Sequence, residues 1–150
     1  MDLSLGGKSV GADKTLLIIK PDAVERNLIG QILSLVEGDG FSVRNMSMLR
    51  LSEQDARKFY RVHEGKPFID SLVKYMSSGP CVVCVLEGNG AVEKLRKLVG
   101  STDPSQAYPG TIRERFGVDK QRNSVHASDS SGTASEEIEF FSGRVETCTR

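Results

Sequence analysis

No excess of charge of either sign marks this chain of 150 residues: lysine plus arginine and aspartate plus glutamate number 20 each, for a formal net charge of +0. That balance excludes a protein held to nucleic acid or to an anionic membrane by bulk electrostatics, which needs a clear basic excess. It leaves room for a cationic site. Long hydrophobic runs are also missing. The longest unbroken aliphatic stretch is Leu16 to Ile19, far short of the roughly 20 residues a membrane span requires. Three cysteines are too few for a disulfide framework, and the odd number leaves one over within a monomer. Residues 1–13 contain no apolar core and no cleavage pattern, so they do not read as a secretory signal. Rich in Gly and Ser, they read as a flexible extension ahead of a domain over residues 14–150. A reducing, cytoplasmic setting is the default for such a chain.

What is present is ordinary for a soluble globular protein: 38% apolar and 27% charged residues, enough for one core. Leu16-Leu17-Ile18-Ile19, closed by Lys20-Pro21-Asp22, reads as a buried central strand ended by a proline turn. Leu28, Ile29, Ile32, Leu33 and Val36 recur at helical spacing up to Gly38–Gly40. Phe41–Leu51 alternates, with a slip between Val43 and Met46 that suggests a bulge. Ser52 caps a helix with Ala56, Phe59, Tyr60 and His63 on its inner stripe. Pro67 opens another, with Phe68, Ile69, Leu72, Val73 and Met76 inward. Cys81–Leu86 is a second apolar strand, followed by a helix burying Ala91, Leu95, Leu98 and Val99. A long loop, Gly100–Gly110, precedes a short helix over Thr111–Phe116, a turn-rich segment to Asp129, and a last helix around Ala134–Phe141. Three or four strands interleaved with helices make an α/β or α+β sandwich.

Two apparent phosphate loops fail on inspection. Gly7-Lys8-Ser9 has Asp2 where a Walker loop needs its first glycine, and no strand precedes it. Gly88-Asn89-Gly90 has Glu93 in place of the third glycine of a dinucleotide loop, and a carboxylate there repels pyrophosphate. Both read as plain turns.

The informative stretch is Asn123-Ser124-Val125-His126-Ala127-Ser128-Asp129-Ser130, which sets one histidine among small polar side chains. A neutral imidazole is a nucleophile near physiological pH. In the last helix Glu137 shares the inward face of Ala134, Ile138 and Phe141. A carboxylate on that face needs a partner. Glu137 can accept an imidazole N–H, fix the tautomer and aim the other ring nitrogen outward.

This segment resembles the N-x-x-H-[GA]-S-D-S motif of the nucleoside diphosphate kinases, and the resemblance extends from about Lys14 to Phe141. Thr15 to Ala23, Lys66-Pro67-Phe68, Gly79-Pro80, Glu87-Gly88, Thr102-Asp103-Pro104 and Pro109-Gly110-Thr111-Ile112-Arg113 match in order. The resemblance implies a ferredoxin-like α+β sandwich, a four-stranded antiparallel sheet flanked by helices. It implies transfer of the γ-phosphoryl of a nucleoside triphosphate to a nucleoside diphosphate through phosphorylated His126, with ping-pong kinetics. It puts Lys20, Arg96, Arg113 and the Thr102 hydroxyl on phosphates, Asn123 on the ribose and Phe68 against the base. Tyr60 and Ser128 support the histidine, Ser128 by bonding Glu137. Mg²⁺ arrives on the nucleotide phosphates, and the assembly is a homo-oligomer, hexamer or tetramer.

The chain departs from the family pattern at three points. Ala127 replaces a common glycine and asks for ordinary backbone there; Lys120 stands where a small apolar residue usually meets the base; Val62 occupies an often acidic position. Cys81 and Cys84, three apart in a strand, point to opposite faces and read as small core residues rather than a redox pair. Two rival readings are a catalytically silent relative acting as a nucleotide-binding regulator and a ferredoxin-like nucleic-acid binder. Intact His126, Lys20, Arg96 and Arg113 oppose the first, and the scarcity of aromatics and of a basic face opposes the second.

Overall fold

The computed structural model describes residues 12–142. Four strands form one antiparallel sheet in the order β2-β3-β1-β4. β1, Ala12–Ile19, pairs along its whole length with β3, Cys81–Asn89. On its other side it pairs with the three-residue β4, Val125–Ala127, in a register that sets Ile18 opposite His126. β2, Ser42–Leu49, forms the far edge and shifts register between Val43 and Asn45, the bulge expected from the slip in its alternation. β1 starts at Ala12, two residues before the expected start of the domain at residue 14. The rest of the expected extension, Gly7-Lys8-Ser9 and the tail with Cys148 lie outside the described residues.

Because strand side chains alternate, the sheet sorts its apolar residues onto two faces. Leu17, Ile19, Val82, Cys84 and Leu86 lie on one face. They pack against Ile32 and Val36 of α2 (Ile29–Gly38), Leu95 and Val99 of α5 (Ala91–Val99), and Ile112 of α6 (Ile112–Phe116). Leu16, Ile18, Cys81 and Val83 lie on the other. There they meet Ala56 and Phe59 of α3 (Glu53–Phe59), Val73 and Met76 of α4 (Ile69–Met76), and Phe141 of α7 (Ser131–Phe141). The strand order and the crossing helices α2 and α5 make the ferredoxin-like α+β sandwich expected from the sequence. Cys81 and Cys84 are buried on opposite faces of β3, and apolar surroundings push the Cys84 thiol up to about 12.

Caps match the local chemistry. Ser52, Thr111 and Ser130 each accept a backbone N–H in the first turn of α3, α6 and α7. Gly90, in the left-handed region, starts α5, so Gly88-Asn89-Gly90 is the turn it was read as. Three details differ from the sequence reading. Lys20-Pro21-Asp22 is not a bare turn: Pro21 opens a short helix, α1 (Pro21–Glu25), as a proline at a helix start can. Helix α4 begins at Ile69 rather than at Pro67, which leaves Phe68 as its cap with 45% of its surface exposed. His63 sits in a one-turn 3₁₀ segment, Arg61–His63, instead of on the inner stripe of α3.

Leu95 is fully buried between α5 and the sheet. Leu95→Ala is expected to cost about 2–5 kcal/mol of stability, read as a lower urea midpoint at unchanged slope.

Candidate active site

The fourth strand carries the site, and it lies inside the stretch that the sequence alone reads as turn-rich. Three residues are too few to show alternation; pairing with β1 makes them a strand. Ser124, just before it, has a φ of 79°, a left-handed conformation that costs a non-glycine residue roughly 1–3 kcal/mol. Ala127 follows in regular strand geometry, as its side chain requires.

Strand parity then sorts the backbone groups. The Ser124 carbonyl accepts from the Lys20 N–H at 2.9 Å and the Ser128 N–H donates to the Leu16 carbonyl at 3.3 Å, so even-numbered positions face β1. Val125 and Ala127 therefore turn their carbonyls out from the sheet edge, and an arginine takes each. Arg113 donates from Nη2 to the Val125 carbonyl at 2.8 Å. Arg96 donates from Nη1 to the Ala127 carbonyl at 3.3 Å. The two guanidinium groups thus flank the backbone of His126.

Arg113 is further fixed by Nη1 donating to the Gly100 carbonyl at 3.1 Å, while its buried Nε has no hydrogen-bond partner among the described residues. Gly100 is needed at this approach: its φ is 91°, and a Cβ there would lie 2.6 Å from the Thr111 hydroxyl. Burial first, and the neighbouring Arg96 second, bring Arg113 down to about 10, so it stays charged at neutral pH.

The His126 ring is 21% exposed and its Nε2 lies 3.0 Å from Glu137 Oε1. Facing an ionised carboxylate, which can only accept, the neutral ring carries its proton on Nε2 and keeps its lone pair on Nδ1. Ser128 donates its hydroxyl to the same Glu137 oxygen at 2.6 Å. Phe59 and Tyr60 pack their rings edge-on against the imidazole at 5.3 and 6.0 Å. Tyr60 is buried, which pushes its phenol upward and keeps it protonated. The ring is held from three sides.

Lys20, the residue after β1 and the cap of α1, has 5% of its surface exposed. Its Nζ donates to the Gln121 carbonyl and to Asn123 Oδ1, both at 2.8 Å. Burial, then Arg113, lower it to about 7, against the smaller opposing pull of Asp22 and Asp119. Asn123 is itself buried, and its amide nitrogen donates to the Thr102 and Lys120 carbonyls at 3.0 and 2.9 Å. It ties the Gly100–Gly110 loop and the segment before β4 to Lys20.

One cavity of about 710 Å³ gathers these groups. Lys20, Tyr60, Phe68, Arg96, Thr102, Arg113, Asn123, His126 and Glu137 all line it; Ser128 stands behind Glu137. Lys120, Val62 and His63 also line it, Val62 with 77% of its surface exposed. Sequence reasoning did not single out Phe59 or the Gln121 carbonyl as parts of the site. Phe59 was legible only as a core residue, and a backbone carbonyl leaves no signal. No group of three or more His, Cys, Asp or Glu side chains able to hold a metal occurs among the described residues.

Such a pocket, with cations gathered around an imidazole, suits binding and transfer of an anionic group. The family model for nucleoside diphosphate kinase matches residues 13–146. The chain belongs to the nucleoside diphosphate kinase family. It is 53% identical over 129 residues to the nucleoside diphosphate kinase of Desulfatibacillum aliphaticivorans, covering 86% of this chain and 94% of that protein. The fold matches that of the Aquifex aeolicus nucleoside diphosphate kinase with a TM-score of 0.86 at 41% identity, covering 91% of this chain and 99% of that one. It matches equally, with a TM-score of 0.86 at 37% identity, a halophilic nucleoside diphosphate kinase from Halobacterium salinarum in complex with CDP, over 93% and 94% of the two chains. As a nucleoside diphosphate kinase, the enzyme transfers the γ-phosphoryl of a nucleoside triphosphate to a nucleoside diphosphate.

The Ser128–Glu137 bond joins β4 to α7 across the site. Ser128→Ala is expected to cost about 1.5–3 kcal/mol, the range for a hydrogen bond to a charged group. A urea melt at neutral pH measures it.

Proposed function

We propose that this kinase works by a ping-pong reaction in which His126 Nδ1 is the nucleophile. The observation that carries the reading is the Glu137 carboxylate on Nε2 at 3.0 Å, itself held by Ser128 at 2.6 Å. It leaves Nδ1 as the basic nitrogen of a ring that lines the cavity. The Nδ1 lone pair attacks the γ-phosphorus in line, the bond from that phosphorus to the β,γ-bridging oxygen breaks, and the diphosphate leaves with the electron pair. The phosphorylated imidazole keeps its Nε2 proton and is cationic, and the Glu137 carboxylate stabilises that charge. A second diphosphate then attacks the phosphorus with a terminal oxygen, the N–P bond breaks, and its electrons return to Nδ1. No proton has to leave the ring in either half.

In this reading Lys20, Arg96, Arg113 and the Thr102 hydroxyl bind the phosphates, and their gathering around one cavity supports it. Phe68, half-exposed at the rim, stacks on the base, which suits a kinase tolerant of different bases because each has a π-face. Asn123 serves the ribose while holding the Lys20 ammonium. Mg²⁺ comes with the substrate phosphates and spreads their negative charge; the protein groups around them are ammonium and guanidinium. The enzyme is a cytoplasmic homo-oligomer, hexameric or tetrameric.

Incubation with Mg·ATP alone is expected to label the protein with one acid-labile, base-stable phosphoryl group, and His126→Ala is expected to abolish it. An unlabelled parent protein would defeat the reading, and label surviving in the variant would move the nucleophile elsewhere.

Lys20 also predicts a proton linkage. Titrating near 7 in the free enzyme, it is mostly neutral at pH 8; a bound phosphate favours the ammonium and raises it. Nucleotide binding at pH 8 therefore takes up a proton, binding at pH 6 does not, and affinity falls as pH rises above 7. Calorimetry in two buffers of different ionisation enthalpy reads the uptake, and Lys20→Met removes it.

A further inference from the structure

Behind Lys20 lies a set of side chains that the reaction above does not use. Asp22, on α1, is 8% exposed. Tyr75, on α4, is bound to it twice: the Tyr75 hydroxyl donates to Asp22 Oδ1 and accepts from the Asp22 backbone N–H at 3.2 Å. The other carboxylate oxygen accepts from Arg26 Nη2 at 3.3 Å, and the same nitrogen donates to the Phe116 carbonyl at 2.6 Å. Phe116 ends α6, the helix that carries Arg113. The Tyr75 ring faces Lys20, with Nζ 5.6 Å from its centroid.

Packing alone does not call for this arrangement. A phenylalanine would fill the Tyr75 position, and an apolar residue at Asp22 would avoid the desolvation of a buried carboxylate. The carboxylate makes sense as a counter-charge. Lys20 and Arg113 are brought together as like charges, and Arg113 disfavours the charged form of Lys20. The Lys20 ammonium spends two of its N–H groups on Gln121 and Asn123. One further side is walled by the Tyr75 ring, which attracts a cation to its face, and the cavity side stays open.

We propose that Asp22 and Tyr75 are a positioning pair for phosphoryl transfer: Tyr75 walls the Lys20 ammonium and pins Asp22, whose carboxylate keeps that ammonium charged beside Arg113. Through Arg26 and Phe116 the same pair braces the end of α6. The inference rests on the reading of Lys20 as a phosphate ligand. The charged and titratable groups that face Lys20 are Asp22 on α1, Tyr75 on α4, Arg113 on α6 and Asp119 in the segment before β4. Of the two acids, Asp22 acts more strongly on Lys20 and is the buried one.

The test is the pH profile of single-turnover phosphoenzyme formation in the full-length enzyme, from pH 6 to 10. Removing the negative charge in Asp22→Asn lets Lys20 deprotonate earlier. The alkaline limb moves to lower pH by about one pH unit. The rate then falls about tenfold at the alkaline end and at most about twofold at pH 6, where Lys20 stays at least half protonated in the variant. Tyr75→Phe keeps the ring and the volume, and it removes only the hydroxyl that pins the carboxylate. It is expected to slow phosphoenzyme formation several-fold in the parent and not at all in a Lys20→Met background. A purely structural pair would slow both backgrounds alike. An alkaline limb unmoved in Asp22→Asn, or equal losses from Tyr75→Phe in the two backgrounds, overturns the inference. Parental rates in Lys20→Met overturn the phosphate role of Lys20 first, and the inference with it.

Discussion

The site hangs on one short strand and on where its carbonyls point. β4 has only three residues, yet its pairing with β1 fixes the parity of every backbone group around His126. The groups facing β1 bond to Leu16 and Lys20, and the two facing outward are taken by Arg113 and Arg96. An open sheet edge is normally a liability, with unpaired carbonyls exposed to water or to another chain. Here guanidinium groups cover it, and the cover delivers two cations to either side of the histidine. A register slip of one residue would turn the imidazole to the other face of the sheet and break both anchors at once.

Gathering cations in a chain of zero net charge has an electrostatic cost, visible in the residues themselves. Lys20 and Arg113 are both lowered, mainly by burial and next by a neighbouring cation. Neither makes a salt bridge within 4.0 Å among the described residues. Backbone carbonyls and the Asn123 amide satisfy their donors instead. Neutral acceptors hold a cation in place without neutralising it, which leaves its charge available to an anionic ligand. The Tyr75–Asp22 pair fits the same logic, since it sets a counter-charge behind the ammonium and leaves the cavity side open.

Most of the fold was legible because its elements announce themselves locally. Leu16–Ile19 and Cys81–Leu86 are apolar runs, the Val43–Met46 slip marks the bulge, and Ser52 and Ser130 cap their helices. Glu137 was legible from helical phase, which put its carboxylate inward and in need of a partner, while its bond to Ser128 was expected only from the family resemblance. What stayed hidden depends on contacts distant in sequence. β4 becomes a strand only by pairing with β1, more than 100 residues away. The start of α4 at Ile69 exposes Phe68, which no stripe pattern indicates. The anchors of Arg96, Arg113 and Lys20 are backbone carbonyls, and any residue type supplies those. The burial of Asp22 against Tyr75 likewise joins two helices that no local pattern links.

The central claim is that Glu137 occupies Nε2 of His126 and leaves Nδ1 for the phosphoryl group. ³¹P–¹⁵N coupling in the ring-labelled phosphoenzyme, trapped at high pH, identifies the nitrogen bonded to phosphorus. A phosphoryl group on Nδ1 is the predicted result. A phosphoryl group on Nε2 would contradict the account, because the carboxylate at 3.0 Å and the transferred group cannot share one nitrogen.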